Sequence, residues 1–380
     1  MNRGTDKIKN IQNKIKEYFI LPSIIFYFIF ITAVIIHVIS YNSVKFSDFF
    51  NRNISSVIRF MLAKITNFIP FSLAELIIIS LPIIVTLIMI LAVKFSNNGK
   101  KTMIRFIICF LSVATLFYSV FVYSFAPGYR GSSIEQKLQM ERKKVSVDEL
   151  YNTAVYLLEN IASLINDIDY IYGSSSVIPY SLDEMNFKLN EAYESLCNKY
   201  DFIPRLKSNI KYVLLSEPMT YTHISGVYTY YTGEANLNIN FPDYTLPYTA
   251  AHELSHQRGI AKEDEANFLA FLVCLESKDP YIRYSGFLNM FEYVSNSLYK
   301  ADNEKYMELY MTVDIRIKKE FLTYSKFFDK YRNSVASNVS NKINDTFLKS
   351  QGQSEGTKSY GRVVDLAVAY YINMDNKVVN

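Results

Sequence analysis

Three long runs of apolar residues fill the first third of the chain. They cover about Phe19–Ile39, Leu73–Val93 and Ile104–Phe125, with charged residues confined to their ends. Each run is about 20 residues long, which is the length that an α-helix needs to cross the hydrocarbon core of a bilayer. The first run is too long for a cleaved signal peptide and ends without a small-x-small cleavage site. The pattern therefore predicts three uncleaved membrane-spanning helices within residues 19–125.

Basic residues beside these runs indicate how the helices are oriented. The N-terminal tail, residues 1–18, and the tight loop between the second and third runs contain the following: Arg3, Lys7, Lys9, Lys14 and Lys16 in the tail, and Lys94, Lys100, Lys101 and Arg105 in the loop. The loop between the first and second runs spreads its basic residues over a longer stretch. Because short cytoplasmic loops are enriched in Lys and Arg, the tail is predicted to be cytoplasmic and residues 130–380 extracytoplasmic.

Polar positions in and near the runs add two expectations. Between Ile58 and Phe68 apolar residues alternate with charges, which suits a helix lying on the membrane surface. His37 lies within the first run and Glu75 at the edge of the second. An ionisable group inside a membrane is a functional candidate by default. However, Glu75 also fits the interface, and neither residue is assigned a catalytic role.

Helical signals dominate after the third run. Residues 146–149 and 181–184 both match the capping box that begins a helix. Residues 219–245 differ, because Val227–Tyr231 and Ala235–Phe241 flank a Thr-Gly pair and predict a hairpin or two short strands. The expected fold is a three-helix membrane anchor joined to a mainly α, α+β domain with a small β element.

Composition narrows the possible partners. The formal net charge is only +4, and Lys and Arg are interspersed with Asp and Glu, so a nucleic-acid partner is not expected. The lipid bilayer is an expected partner, while the oligomeric state is not indicated. The cysteines Cys109, Cys197 and Cys274 form no CxxC pair, which argues against a disulfide framework or a cysteine-ligated metal.

One short segment contains candidate metal ligands and a candidate general base. Pro247 can begin a helix and Gly259 can end it in a left-handed conformation. Between them lies His-Glu-Leu-Ser-His, residues 252–256, which is the HExxH pattern. His252 and His256 stand four residues apart, so both imidazoles project from one face of a helix and can bind one ion.

Glu253 lies beside that face, where a carboxylate can act as the general base that activates a metal-bound water. Zn²⁺ suits two imidazoles with an oxygen ligand and lowers the pKa of bound water toward ~7. The predicted cofactor is therefore Zn²⁺. The alternative is a pair of surface histidines on an ordinary helix.

A catalytic zinc site needs a third protein ligand. Glu263, Asp264 and Glu265 lie just downstream and begin a second helix that runs to Glu276. Because the following residues are apolar on all faces, periodicity does not select among the three carboxylates. His223 is a further candidate, which we rank lower because it lies in a loop before the predicted strands.

Several motifs together resemble a bacterial membrane-protein family, a domain of unknown function. Its members pair three N-terminal spans with a gluzincin-like zinc metallopeptidase domain. The similar segments are Pro70–Glu75, Gly233–Asn236, Leu246–His252, His252–Ala270 and Ser359–Asp365. The Glu-Ala-Asn step that begins at Glu265 also resembles soluble zinc peptidases that cut bacterial repressors, in which that Glu is the third ligand. The resemblance thus implies Glu265 as the ligand.

The resemblance implies two further roles. In zincins a strand edge above the motif helix binds extended peptide, and residues 235–240 are the expected edge. Zincins also stabilise the oxyanion with a Tyr, His or Arg, for which Tyr360 or Arg362 is a candidate. Tyr360 and Arg362 are explained equally well as an ordinary aromatic and an ordinary charged residue at the start of a helix.

The leading hypothesis is a membrane-anchored zinc metallopeptidase that acts on peptide or protein outside the cytoplasmic membrane. The alternative is a non-catalytic zinc-binding sensor or scaffold. Proteolysis within the membrane is disfavoured, because the motif lies in a polar stretch far beyond the last apolar run in sequence.

Overall fold

The computed structural model of the chain describes residues 18–171 and 175–379, apart from the side chains of residues 359, 360 and 375–379. The α-helices, numbered in chain order, are α1 (Leu21–Asn42), α2 (Val44–Phe50), α3 (Ser56–Asn67), α4 (Leu73–Asn97), α5 (Lys100–Ser124), α6 (Ile134–Lys137), α7 (Val147–Leu164), α8 (Leu182–Lys199), α9 (Ser216–Thr220), α10 (Leu246–Gln257), α11 (Glu263–Glu276), α12 (Pro280–Ala301), α13 (Asn303–Thr312), α14 (Ile315–Asp329), α15 (Val335–Ser350) and α16 (Val363–Val379). The strands are β1 (Lys211–Tyr212), β2 (Gly226–Thr229) and β3 (Glu234–Leu237).

Helices α1, α4 and α5 coincide with the three apolar runs and are long and apolar enough to cross a membrane. Their side chains remain largely uncovered by protein, and the most apolar stretch of α4 has no buried residue. An apolar surface of this size is unfavourable in water and favourable in contact with lipid. The prediction of membrane association is therefore supported. Residues 1–17 of the basic tail lie outside the described residues.

The N-terminus of α4 is attached to the rest of the domain by acidic side chains. The carboxylate of Glu234 in β3 accepts hydrogen bonds from the backbone N–H groups of Leu73 and Ala74, at 3.1 and 3.0 Å. Glu75 in turn accepts the N–H groups of Leu214 and Leu215, at 3.0 and 2.7 Å. These bonds satisfy backbone N–H groups at the start of a helix, which have no partner within the helix itself. Glu75 thus has a structural role, as does His37, whose Nδ1 lies 2.6 Å from the hydroxyl of Tyr118.

Helix α3 joins the membrane helices to the domain through one buried arginine. Its exposed face is apolar apart from Lys64, as expected for a helix on a membrane surface, whereas Arg59 on the opposite face is 1% exposed. The guanidinium of Arg59 donates to the carbonyl of Ser124 at 2.6 Å and to that of Arg258 at 3.4 Å. Asn51 adds a bond to the carbonyl of Gly259 at 3.0 Å. The end of α5 and the turn after α10 are therefore held together.

The predicted hairpin is present, with strands β2 and β3 shorter than expected. A third strand, β1, pairs parallel to β3, so the order of the sheet is β1–β3–β2. Strand β3 is consequently central. The prediction that residues 235–240 form an open edge is wrong, because β1 and β2 occupy both sides of β3. The edge strand on this side is β2.

Helix α10 begins with Pro247 in its first turn and ends at a left-handed Gly259, with φ +91°, as the sequence predicts. The turn returns the chain so that α11 packs against α10, and α12 covers α11. All residues of α10 from Leu246 to Gln257, except Thr249, are buried. A helix in that position carries polar side chains into the interior, where they need partners.

Candidate metal centre

The two histidines of α10 face each other across one helical turn. The Nε2 atoms of His252 and His256 are 3.0 Å apart, and the two side chains are nearly buried. The Nδ1 atom of His256 lies 2.7 Å from the carbonyl oxygen of Ile260, to which it donates. In the neutral imidazole, that bond leaves Nε2 as the atom with a free lone pair, the usual arrangement of a ligating histidine. The spacing predicted from the sequence is therefore present in three dimensions.

Glu263, at the first position of α11, supplies the third group. One carboxylate oxygen lies 3.3 Å from the Nε2 atoms of both His252 and His256. Tetrahedral coordination with bonds of about 2.0–2.1 Å separates ligand atoms by about 3.3 Å. The observed triangle of 3.0, 3.3 and 3.3 Å matches that size. Two imidazoles and one carboxylate thus fit a zinc-type ion.

The other two acidic candidates are engaged elsewhere. The carboxylate of Glu265 lies 2.8 Å from the ammonium of Lys262, and that of Asp264 lies 3.1 Å from the guanidinium of Arg142. The third member of the candidate set is therefore Glu263, and not Glu265 as the resemblance implies. The helical rotation decides this outcome, because residues one and two positions apart on a helix point in different directions.

Electrostatics couple these groups closely in the absence of an ion. Burial lowers the pKa of His256, but the Glu263 carboxylate outweighs it and raises that pKa to about 9. Burial likewise raises the pKa of Glu263, but the two imidazoles outweigh it and hold that pKa far below its ordinary value. The site therefore favours a carboxylate ligand that is ionised, which is the form a cation binds.

Glu253 lies beside the cluster without belonging to it. A Cβ atom added at Gly226 of β2 would meet its Oε1, Cγ and Cδ atoms at 2.6, 2.7 and 2.9 Å, so the glycine makes room for this side chain. Burial raises the pKa of Glu253, while His252 and His256 oppose that effect. A raised carboxyl pKa suits a group that exchanges protons near neutral pH.

The site is adjacent to the end of α5, the third apolar helix. The rings of Phe125 and His256 lie edge to face, with centroids 6.0 Å apart. Burial, with a contribution from the Glu263 carboxylate, raises the pKa of Tyr129 well above its ordinary value. A Cβ at Gly128 would lie 2.8 Å from the carbonyl oxygen of Gly259, so the two backbones pack closely. The candidate centre therefore lies beside the segment that follows the third apolar helix.

The remaining candidates do not belong to the His252–His256–Glu263 group, or their side chains lie outside the described residues. His223 has a left-handed backbone, with φ 61°, and its Nε2 lies 2.8 Å from the carbonyl oxygen of Tyr331. Arg362 is exposed, and its carbonyl accepts a bond from Arg142. Tyr360 belongs to the 3₁₀ helix Gly356–Arg362, and its side chain lies outside the described residues.

Glu263 is one of three alternatives that the sequence leaves open, and the residues that surround the cluster and Glu253 are not predicted at all. Gly226, Phe125 and Tyr129 precede the motif by many residues, and nothing in their local sequence links them to it. Pro127, Gly128 and Gly131, which follow the third apolar run, are the available signal, because proline and glycine interrupt a helix. They mark the end of a helix without showing what the next residues contact.

Three apolar helices, a mainly helical domain and a buried His-His-Glu group define a membrane-associated protein with a candidate metal centre. The chain belongs to the family described as Protein of unknown function (DUF3810), whose model matches residues 46–368. The resemblance to a domain of unknown function is thereby confirmed, and the gluzincin-like part of it stays a prediction. Comparison with curated proteins and with solved structures gave no match.

Proposed function

We propose that this protein is a membrane-anchored, zinc-dependent metallopeptidase that hydrolyses peptide bonds at an extracytoplasmic site. The observation that carries the proposal is the position of Glu253. Its carboxylate lies next to the His252–His256–Glu263 cluster but takes no part in it, and a space formed by Gly226 accommodates it. A site that served only to hold an ion would not need this additional carboxylate.

The residues divide into two roles. His252, His256 and Glu263 hold the ion, and a bound zinc ion supplies Lewis acidity that polarises a carbonyl and acidifies water. Glu253 accepts the proton of the attacking water and passes it to the leaving amine, as a general base that becomes a general acid. Its burial and the space at Gly226 restrict its position for both steps.

Strand β2 supports a peptide as the substrate class. In an antiparallel pair, residues alternate between bonding to the partner and pointing away from it. Because the N–H of Asn238 bonds the carbonyl of Ser225, the peptide groups of Gly226 and Tyr228 point away from β3. Gly226 lies against Glu253. An extended peptide that pairs with the β2 edge there would present a backbone carbonyl beside the base.

The competing proposal is a zinc-binding sensor or scaffold without turnover. It shares the ligands and the membrane anchor, and it assigns no role to Glu253. The two proposals therefore differ in the expected behaviour of Glu253→Gln.

The test uses the full-length protein purified in detergent, with metal content measured by elemental analysis and cleavage followed by mass spectrometry of a peptide library. Wild type should contain one zinc per chain and cleave some peptides. His252→Ala should lose the metal, whereas Glu253→Gln should retain it and lose cleavage. Retention of the metal by His252→Ala would remove the site from the proposal. Full zinc occupancy without cleavage in wild type would favour the sensor or scaffold.

The extracytoplasmic orientation is tested separately. A topology reporter fused after residue 130 should be active only outside the cytoplasm, because α5 ends at Ser124. Activity in the cytoplasm would reverse the proposed orientation and leave the chemistry unchanged.

A further inference from the structure

A cavity of about 490 Å³ lies between α3, α8 and the segment before β1, apart from the metal centre. Its lining residues come from the surface helix and the domain together: Phe60, Lys64, Asn67, Phe68, Asn190, Tyr193, Glu194, Cys197, Arg205, Leu206, Lys207 and Arg258. Beside it lies the exposed apolar face of α3, which includes Val57, Met61 and Ile65. One side of the cavity is therefore continuous with a surface suited to lipid.

The cavity has an excess of positive charge. Lys64, Arg205, Lys207 and Arg258 line it, against a single acidic residue, Glu194. Glu194 is exposed and lies 3.5 Å from Lys207, so at most one of the four cations is offset. Surface ion pairs of this kind contribute little, because water screens them. The cavity is thus suited to an anion.

Arg258 shows that the positive charge extends to the buried wall. Its side chain is 2% exposed, and its guanidinium lies over the ring of Tyr193, 3.6 Å from the centroid. The terminal nitrogens donate to the carbonyls of Leu254 and Leu206, at 3.0 and 2.5 Å. The buried Nε has no hydrogen-bond partner among the described residues. A buried charge with only neutral acceptors is costly unless an anion approaches it.

Arg59 repeats the arrangement in an adjoining cavity of about 210 Å³, which shares Arg205, Leu206 and Arg258 with the first. Arg59 bonds to carbonyl oxygens and to the amide oxygen of Asn51, and its buried Nε also lacks a partner among the described residues. Neither buried arginine forms an ion pair with a carboxylate within the described part of the chain. Two adjacent buried cations therefore lack a counter-ion from the residues that the structure describes.

We propose that this cavity binds the anionic headgroup of a phospholipid whose acyl chains remain in the leaflet beside α3. Lys and Arg bind phosphate oxygens by charge-assisted hydrogen bonds. Phe60 and Phe68 border the cavity where the chains of such a lipid would leave it. A small soluble anion would neutralise the charges but would leave the apolar border uncovered. The proposal depends on membrane association and is independent of peptidase activity.

The experiment uses full-length protein reconstituted in nanodiscs of zwitterionic lipid with a minority of anionic phospholipid, followed by native mass spectrometry of the released protein. The variant Lys64→Gln/Arg205→Gln/Lys207→Gln removes three charges from the rim and leaves the buried arginines intact. Its matched control, Lys144→Gln/Lys300→Gln/Lys326→Gln, removes three exposed charges elsewhere. Unchanged circular dichroism and an unchanged Tm show that both variants are folded.

Wild type and the control should retain anionic phospholipid, and the rim variant should bind it about a hundredfold more weakly, at about fivefold per charge. Equal retention by the rim variant, or equal binding of zwitterionic lipid by wild type, overturns the proposal. A second arm adds inorganic phosphate to the wild-type protein in detergent. Saturable binding of phosphate that displaces the lipid fully would assign the cavity to a soluble anion and also overturn the proposal.

Discussion

Gly226 provides the most specific test of the proposed base. A Cβ atom at this position would lie 2.6 Å from Oε1 of Glu253, 2.7 Å from Cγ and 2.9 Å from Cδ. The backbone of Gly226 does not have a positive φ, so alanine introduces no backbone strain there. The change Gly226→Ala is therefore a steric perturbation directed at a single side chain.

The magnitude follows from these distances. Ordinary contacts of a Cβ begin at about 3.4 Å, so the Glu253 carboxylate must move by about 0.8 Å or more. The side chain moves rather than the strand, because β2 is hydrogen-bonded to β3. A displacement near 1 Å costs about 10²-fold in rate when geometry is essential. Overpacking of this size costs about 1–3 kcal/mol in stability.

The assay compares kcat on a cleaved library peptide with zinc content and Tm. Gly226→Ala should lower kcat about a hundredfold, keep one zinc per chain and remain folded. Gly361→Ala is the matched control, since a Cβ there would meet nothing within 4 Å. If Gly226→Ala cleaves as fast as wild type at full zinc occupancy, the position of Glu253 is not essential and its role as base is refuted.

Three further predictions concern the ligands, a buried carboxyl and the membrane tether. Glu263→Gln should weaken zinc binding by more than about 100-fold while Glu265→Gln changes it little, as measured by competition with a chelator; the reverse order would restore Glu265 as the ligand. Burial raises the pKa of Glu292 to about 7, so the folded state binds a proton more tightly and stability falls as pH rises from about 4.5 through 7. Glu292→Gln should remove a fall of up to about 3 kcal/mol, visible in urea unfolding at pH 5 and 8, and an unchanged pH profile would contradict it. Arg59→Met should destabilise the protein by about 1–3 kcal/mol by leaving buried carbonyls without a donor, whereas the exposed Arg52→Met should leave Tm unchanged.

The sequence predicts the third member of the candidate metal site only in part. The acidic triplet is the evident source of that ligand, and the resemblance selects Glu265 from it. Helix α11 begins at Glu263, and only its packing angle against α10 brings that carboxylate to within 3.3 Å of both imidazoles. A packing angle depends on side chains from many distant positions, and no local pattern records it.

The strand edge and the position of the site also depend on contacts between segments that are far apart in the chain. The turn at Thr232–Gly233 predicts a hairpin, yet β1 pairs with β3 across more than twenty residues of chain and converts it into a central strand. The motif is far from the third apolar run in sequence, yet His256 contacts Phe125 at its end. Sequence distance alone therefore overstates the separation of the site from the third apolar helix.

Features encoded over a few neighbouring residues follow from the sequence by itself. Apolar length predicts α1, α4 and α5, and proline with glycine delimits α10 and places His252 and His256 on one face. Tertiary packing supplies what those patterns lack: Glu263 as the third group, Gly226 as the space for Glu253, β2 as the edge, and buried arginines beside α3. The physical reason is that periodicity and capping act within one or two helical turns, whereas a site is assembled from contacts between segments far apart in the chain.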